Sequence, residues 1–185
     1  GSAAASNDSA ARPNFLFLLA DDLGWADLQS YGSTFHETPN LDRLARDGMR
    51  FSTFYAAGSV CSPTRSSILT GKYPPRTGIT DWIPGQNVTG RKLVQLHPRR
   101  QLALDEFTIA EGLKPAGYQT LYVGKWHLGG KGFLPTDQGF ESFEGYEEEG
   151  GAEANDRAAR LKRRLESTGQ FTTSALRFLE QHDRK

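Results

Sequence analysis

Apolar positions along this chain come in blocks separated by small, charged or turn-forming residues. The longest block is Phe15-Leu16-Phe17-Leu18-Leu19-Ala20. An apolar run with no polar break predicts a strand over 14–20 buried on both faces, as in a parallel sheet. Asp21-Asp22-Leu23-Gly24 follow at its C-terminal end, where open α/β sheets place their ligands. Thr38 then Pro39 predict a helix start, with Leu41, Leu44 and Ala45 as a short apolar face and Gly48 as the stop. Met49 to Ala57 alternates, with Phe51 and Tyr55 on one side, and predicts a strand.

Ser62-Pro63 repeats the cap-then-proline signal and Gly71 closes the helix, which puts Cys61 at a helix N-terminus. Residues 72–103, rich in Pro, Gly and basic side chains, predict a long surface excursion. Asp105 to Lys114 predicts a helix with Phe107, Ile109, Ala110 and Leu113 as apolar positions. Tyr118 to Val123 predicts a strand, with Gly124-Lys125-Trp126-His127-Leu128-Gly129 as the loop at its end. Residues 147–169 are charged and small, a surface insertion or linker. Thr172 or Thr173 then caps a final helix through Ala175, Leu176, Phe178 and Leu179. Residues 1–12 are small and polar and are expected to be disordered. Strands alternating with helices predict an α/β fold, a mostly parallel sheet flanked by helices, over residues 13–185.

At 185 residues the chain can enclose one sizeable core. Lys+Arg and Asp+Glu both total 22, so no net field draws in a nucleic acid or an anionic membrane, and neither is expected as a partner. The longest apolar run falls far short of the roughly 20 residues that span a bilayer. Cys61 is the one cysteine, which excludes an intrachain disulfide and a cysteine-rich metal site. The start Gly1-Ser2-Ala3-Ala4-Ala5-Ser6 has neither the basic nor the apolar part of a leader, and Gly1-Ser2 reads as the scar of a removed tag.

Three stretches carry chemistry. A lone cysteine is usually a small buried hydrophobe, a bare Asp-Asp a turn, and a bare Lys-x-His a solvated loop. Here Cys61-Ser62-Pro63-Thr64-Arg65 is followed by Ser66-Ser67-Ile68-Leu69-Thr70-Gly71. Arg65 lies one helical turn from Cys61, so both can share a face, and a helix N-terminus suits an anion. Adjacent carboxylates at Asp21 and Asp22 suit a hard divalent cation. In an extended loop Lys125 and His127 can face the same side, one as a point charge and one as a proton carrier.

Together these stretches resemble the sulfatase family: Cys-x-Pro-x-Arg followed by Leu-Thr-Gly, the Asp-Asp-Leu-Gly after an apolar strand, and Gly-Lys-Trp-His-Leu-Gly. The resemblance covers residues 12–146 and implies an alkaline phosphatase-like fold and hydrolysis of sulfate monoesters. It implies that Cys61 is oxidised to formylglycine by a formylglycine-generating enzyme. A hydrated aldehyde sulfated on one oxygen can lose a proton from the other and expel sulfate, which a sulfated serine cannot do. The resemblance further implies that Asp21, Asp22 and modified Cys61 ligate calcium, with magnesium as the alternative. By the same resemblance Lys125 and His127 would bind the sulfated substrate, His127 would help deprotonate the diol, and Arg65 would complete the catalytic set with Cys61. The substrate would be a sulfated small molecule or carbohydrate. The compartment would be periplasmic or extracellular, or lysosomal or secretory in a eukaryote, with the leader absent here.

Family members are much longer, and their further metal ligands, a second lysine and the histidine that protonates the leaving group come later. The fold is therefore expected to be interrupted, with a C-terminal half present as a second chain or a continuation. Two rival readings are a phosphonate or phosphate ester hydrolase with the same formylglycine, and a non-catalytic fragment. Lys72 and Arg76 read as solvated cations, Asp81, Trp82 and His97 are unassigned, and Asp137-Gln138-Gly139-Phe140 reads as a structural turn.

Overall fold

The computed structural model describes residues 12–85, 90, 92, 98–145 and 157–181. The chain forms two compact units, with Phe54 closing the first and Tyr55 opening the second. In the first unit residues 14–20 adopt no regular element and stay exposed, Phe15 at 66% and Leu18 at 72%. The strand expected there is absent. A run apolar on both faces needs a ladder at each edge and a layer on each side, and the described residues supply neither. Residues 49–57 lack their expected strand for the same reason, with Phe54 and Tyr55 about as exposed as the earlier run.

The helix expected after Thr38 forms as α1 (Pro39–Asp47), and the Gly48 amide donates to the Leu44 carbonyl at its end. Thr38 does not cap it with its side chain. Its hydroxyl accepts from the Gln29 amide at 3.0 Å and donates to the Asp42 carboxylate at 3.0 Å. Asp42 also accepts from the Ser30 amide at 2.8 Å. These bonds tie the short 3-10 turn Gln29–Tyr31 to α1.

The second unit begins with α2 (Cys61–Thr70), which Gly71 ends in the left-handed region at φ 67, a conformation open to a residue without Cβ. A short α3 (Pro74–Thr77) follows, linked back by the buried Ser66 and Thr77 hydroxyls 3.3 Å apart. The helix expected over 105–114 is α4 (Ile109–Leu113) only, continued by a 3-10 turn Lys114–Ala116. Its start is fixed by a capping box: the Thr108 hydroxyl accepts from the Glu111 amide, and the Glu111 carboxylate accepts from the Thr108 amide at 2.7 Å.

Strand β1 (Leu121–Val123) pairs in parallel with β2 (Ser142–Glu144), Tyr122 opposite Phe143. The last helix, α5 (Arg157–Gln181), packs against β1. It runs unbroken through Thr172 and Thr173, whose hydroxyls bond back to the carbonyls of Thr168 and Gly169 at 2.8 and 2.9 Å. They are interior residues, and the expected cap there is corrected. Residues 157–169 of the expected insertion or linker are thus helical, whereas 147–156 lie outside the described residues, as do residues 1–11 of the expected disordered start. Among the described residues no helix is long and apolar enough to cross a membrane.

The core of this unit is Leu69, Ile79, Leu102, Trp126 and Leu128, with Ile83, Tyr122, Phe140 and Phe143 packed against it. Each fully buried side chain of this kind contributes about 1.5–3 kcal/mol. Two of the five come from one loop, 124–129, which therefore sits on the best-anchored part of the unit.

Candidate functional site

Helix α2 starts two residues earlier than the Ser62-Pro63 cap signal suggested. Val60 is the N-cap and makes no side-chain bond, Cys61 is the first helical residue, and Ser62 is inside the first turn. The Ser62 hydroxyl is fully buried and accepts from the Ile83 amide at 3.0 Å instead of capping its own helix. Cys61 is half-buried in that first turn, where leading amides have no acceptor within the helix and Pro63 contributes none.

The loop after β1 keeps the expected alternation but not an extended backbone throughout, since His127 takes φ 57. Gly124 turns the chain at φ 96, and burial then alternates. Trp126 and Leu128 are 1% and 0% exposed, whereas Lys125 and His127 are half-buried on the opposite side. The Trp126 indole donates to the Phe133 carbonyl at 2.7 Å, and the Leu102 amide donates to the Leu128 carbonyl at 2.7 Å. Lys125 Nζ lies 3.4 Å from Cys61 Sγ. The structure thus brings the Lys125 ammonium to the thiol of Cys61.

Arg65 is buried at 6% exposure. Its guanidinium donates to the Lys125 carbonyl at 2.6 Å and to the Tyr122 hydroxyl at 3.2 Å, and that hydroxyl donates to the same carbonyl at 2.7 Å. These bonds fasten the backbone of Lys125 to α2. Tyr122 was legible only as a strand residue, since nothing in its neighbours marks a tyrosine whose hydroxyl turns toward a loop.

Among the described residues only Asp22 and His127 are non-glycine residues with positive φ, at 59 and 57. Such a conformation costs roughly 1–2 kcal/mol for an ordinary side chain and gathers at functional sites. Both were singled out from sequence for unrelated reasons. Asp21 and Asp22 are exposed, following the irregular segment 14–20 in the first unit. As hard, charged oxygen donors they suit calcium or magnesium.

His127 Nε2 lies 2.5 Å from the Ile83 carbonyl oxygen. Ile83 carries no chemistry by type and did not stand out in the sequence, and Ser62 stood out only as a helix cap. The solvated reading of Lys72 is corrected: its ammonium is 2.6 Å from the carboxylate of Glu106, itself 7% exposed. A buried carboxylate requires a cation, and Lys72 supplies it. Arg76 is exposed, Asp81 accepts from the Trp82 amide at 2.8 Å, and His97 lies outside the described residues. The turn at Asp137 to Phe140 serves packing: the buried Gln138 amide group donates to the Leu102 carbonyl at 3.0 Å.

The sulfatase family model matches residues 13–185. Arylsulfatase A of Bos taurus is 45% identical over 145 residues, which are 77% of this chain and 27% of that protein. N-acetylgalactosamine-6-sulfatase of Sus scrofa is 46% identical over 136 residues, 72% of this chain and 25% of that protein. The crystal structure of Ps i-CgsB matches with a TM-score of 0.61 at 32% identity, covering 82% of this chain and 32% of that one. The chain spans about a quarter of the length of the curated relatives it matches.

Proposed function

The chain belongs to the sulfatase family, and from that premise we propose that its protein hydrolyses sulfate monoesters through a formylglycine at position 61, with a divalent metal held by Asp21 and Asp22. The observation that supports this most is the Lys125 ammonium 3.4 Å from Cys61 Sγ at the first turn of α2. Sγ marks the place of the oxygen that conversion would put there.

The hydrated aldehyde supplies two hydroxyls on one carbon, one to attack sulfur and one to drive sulfate out. Lys125 holds the sulfate oxygens by charge, joined by the open amides of the α2 N-terminus. His127 takes the proton of the second hydroxyl as that O–H pair becomes the C=O bond, and sulfate leaves with its bonding pair. Arg65 acts through Lys125, whose carbonyl it grips. Arg65→Lys keeps the charge but not the planar fork, so kcat is expected to fall about tenfold in steady-state assays of the full-length protein, with KM nearly unchanged.

Calcium, or magnesium, at Asp21, Asp22 and residue 61 would lower the proton affinity of the attacking hydroxyl. Two carboxylates, each giving one or two oxygens, and one further oxygen fall short of a calcium shell of roughly six to eight. The other ligands, and the acid that protonates the leaving alcohol, would come from the remainder of the protein. The exposed apolar faces at Phe15 to Leu19, and at Leu176 and Leu179 of α5, offer surface for that remainder to cover. The same reading places the mature protein in a periplasmic, extracellular or lysosomal compartment.

The test is the full-length protein co-expressed with a formylglycine-generating enzyme. The peptide containing residue 61 is expected to be about 18 Da lighter than its cysteine form. Paired aryl substrates are expected to show sulfate ester cleavage at least about a hundredfold above phosphonate cleavage. The reverse preference would hand the site to phosphonate hydrolysis.

A further inference from the structure

Resting on the proton-accepting role given to His127, we propose that Ser62 is a positioning residue for His127, acting through the backbone of Ile83. The Ser62 hydroxyl is fully buried and accepts from the Ile83 amide at 3.0 Å. The carbonyl of the same residue lies 2.5 Å from His127 Nε2. The Ile83 side chain packs on the core cluster, so three anchors hold one residue: α2, the core and the histidine ring.

The chemistry of the second contact fixes the ring. A carbonyl oxygen carries no hydrogen, so Nε2 must bring the proton and donate it. In the neutral ring Nδ1 then holds the lone pair and is the atom that accepts a proton. The backbone of His127 at φ 57, locked by buried Trp126 and Leu128 on either side, leaves the ring few other directions. Ser62 neighbours Cys61 in the first turn of α2. One residue of the excursion thus spans from the turn that bears the nucleophile to the group that must take its proton.

Removing the Ser62 oxygen strands the Ile83 amide in a half-buried place, and a stranded donor shifts to find a partner. The Ile83 carbonyl shifts with it, and the ring loses the acceptor that selects its tautomer. The geometry of Cys61 and Lys125 is left as it was.

The experiment uses the full-length protein, with the converted fraction of residue 61 measured by peptide mass and rates normalised to it. Ser62→Ala is expected to lower kcat about tenfold with KM changed less than about twofold. In a His127→Ala background the same change is expected to alter kcat by less than about twofold, because a residue acting only through His127 has nothing left to position. With 15N-labelled histidine, the unaltered protein is expected to show His127 as the Nε2–H tautomer, and Ser62→Ala a mixture. Equal losses from Ser62→Ala in both backgrounds, an unchanged kcat, or an Nδ1–H ring in the unaltered protein would overturn the proposal. If the unaltered, converted protein cleaves no sulfate ester, the hydrolase reading fails, and the ring spectra alone decide whether Ser62 orients His127.

Discussion

Cys61→Ser is expected to release at most one equivalent of alcohol per chain from a chromogenic aryl sulfate, and then to stop. A serine hydroxyl at the first residue of α2 would still meet the Lys125 ammonium and the open amides, so attack on sulfur remains feasible. The product would be an alkyl sulfate with no second hydroxyl on its carbon. No proton transfer to His127 could then expel sulfate, and the next step would need a fresh displacement at sulfur. Multiple turnover is expected to drop by at least about a thousandfold, as for loss of any nucleophile whose intermediate must break down. Burst kinetics against enzyme concentration measure this directly, and sustained turnover by the serine variant would contradict the role given to residue 61.

The second large effect concerns the metal. In the full-length protein, Asp21→Asn and Asp22→Asn are each expected to weaken calcium binding at least about a hundredfold in calorimetric titration, since loss of a charged ligand exceeds the 10–100-fold typical of supporting residues. Activity is expected to fall in parallel and to recover in part at high calcium. Asparagine is the informative choice at position 22. Its φ of 59 is tolerated by Asn as by Asp, so the variant removes charge without adding backbone strain. Asp22→Ala would confound the two. Both residues are exposed, so thermal unfolding is expected to change little. Unaltered calcium affinity in both variants would rule out this pair as ligands.

The features read correctly from sequence are those whose determinants are local. The Thr38-Pro39 start and Gly48 stop of α1, the Gly71 end of α2 and the inside-outside alternation of Lys125 to Leu128 all depend on residues within a few positions of one another. The errors lie where a distant partner decides. Segment 14–20 is apolar enough for a buried strand, but a strand exists by its ladder, and the described residues offer it none. Ser62 looked like a cap because caps are serines; its oxygen is taken by Ile83, 21 positions away. The Lys72–Glu106 pair joins residues 34 apart, and no charge pattern announces it. The short α4 is a different error, because Thr108 and Glu111 form a capping box that was present in the sequence and outweighed by the apolar spacing. In α5 the threonines favoured a start, yet they lie within a continuous helix and satisfy their hydroxyls on the turn before.

The loop from Gly124 to Gly129 has a parity. Odd positions, Lys125 and His127, are half-buried, and even positions, Trp126 and Leu128, belong to the dry interior. Inserting or deleting one residue would exchange the two sets, sending an ammonium inward and an indole outward. No single compensating substitution restores both. The stretch is therefore closed to changes of length, and insertions have to fall where no parity binds the chain. Thr80 and Pro84, exposed positions on either side of the stretch 81–83, carry no such alternation.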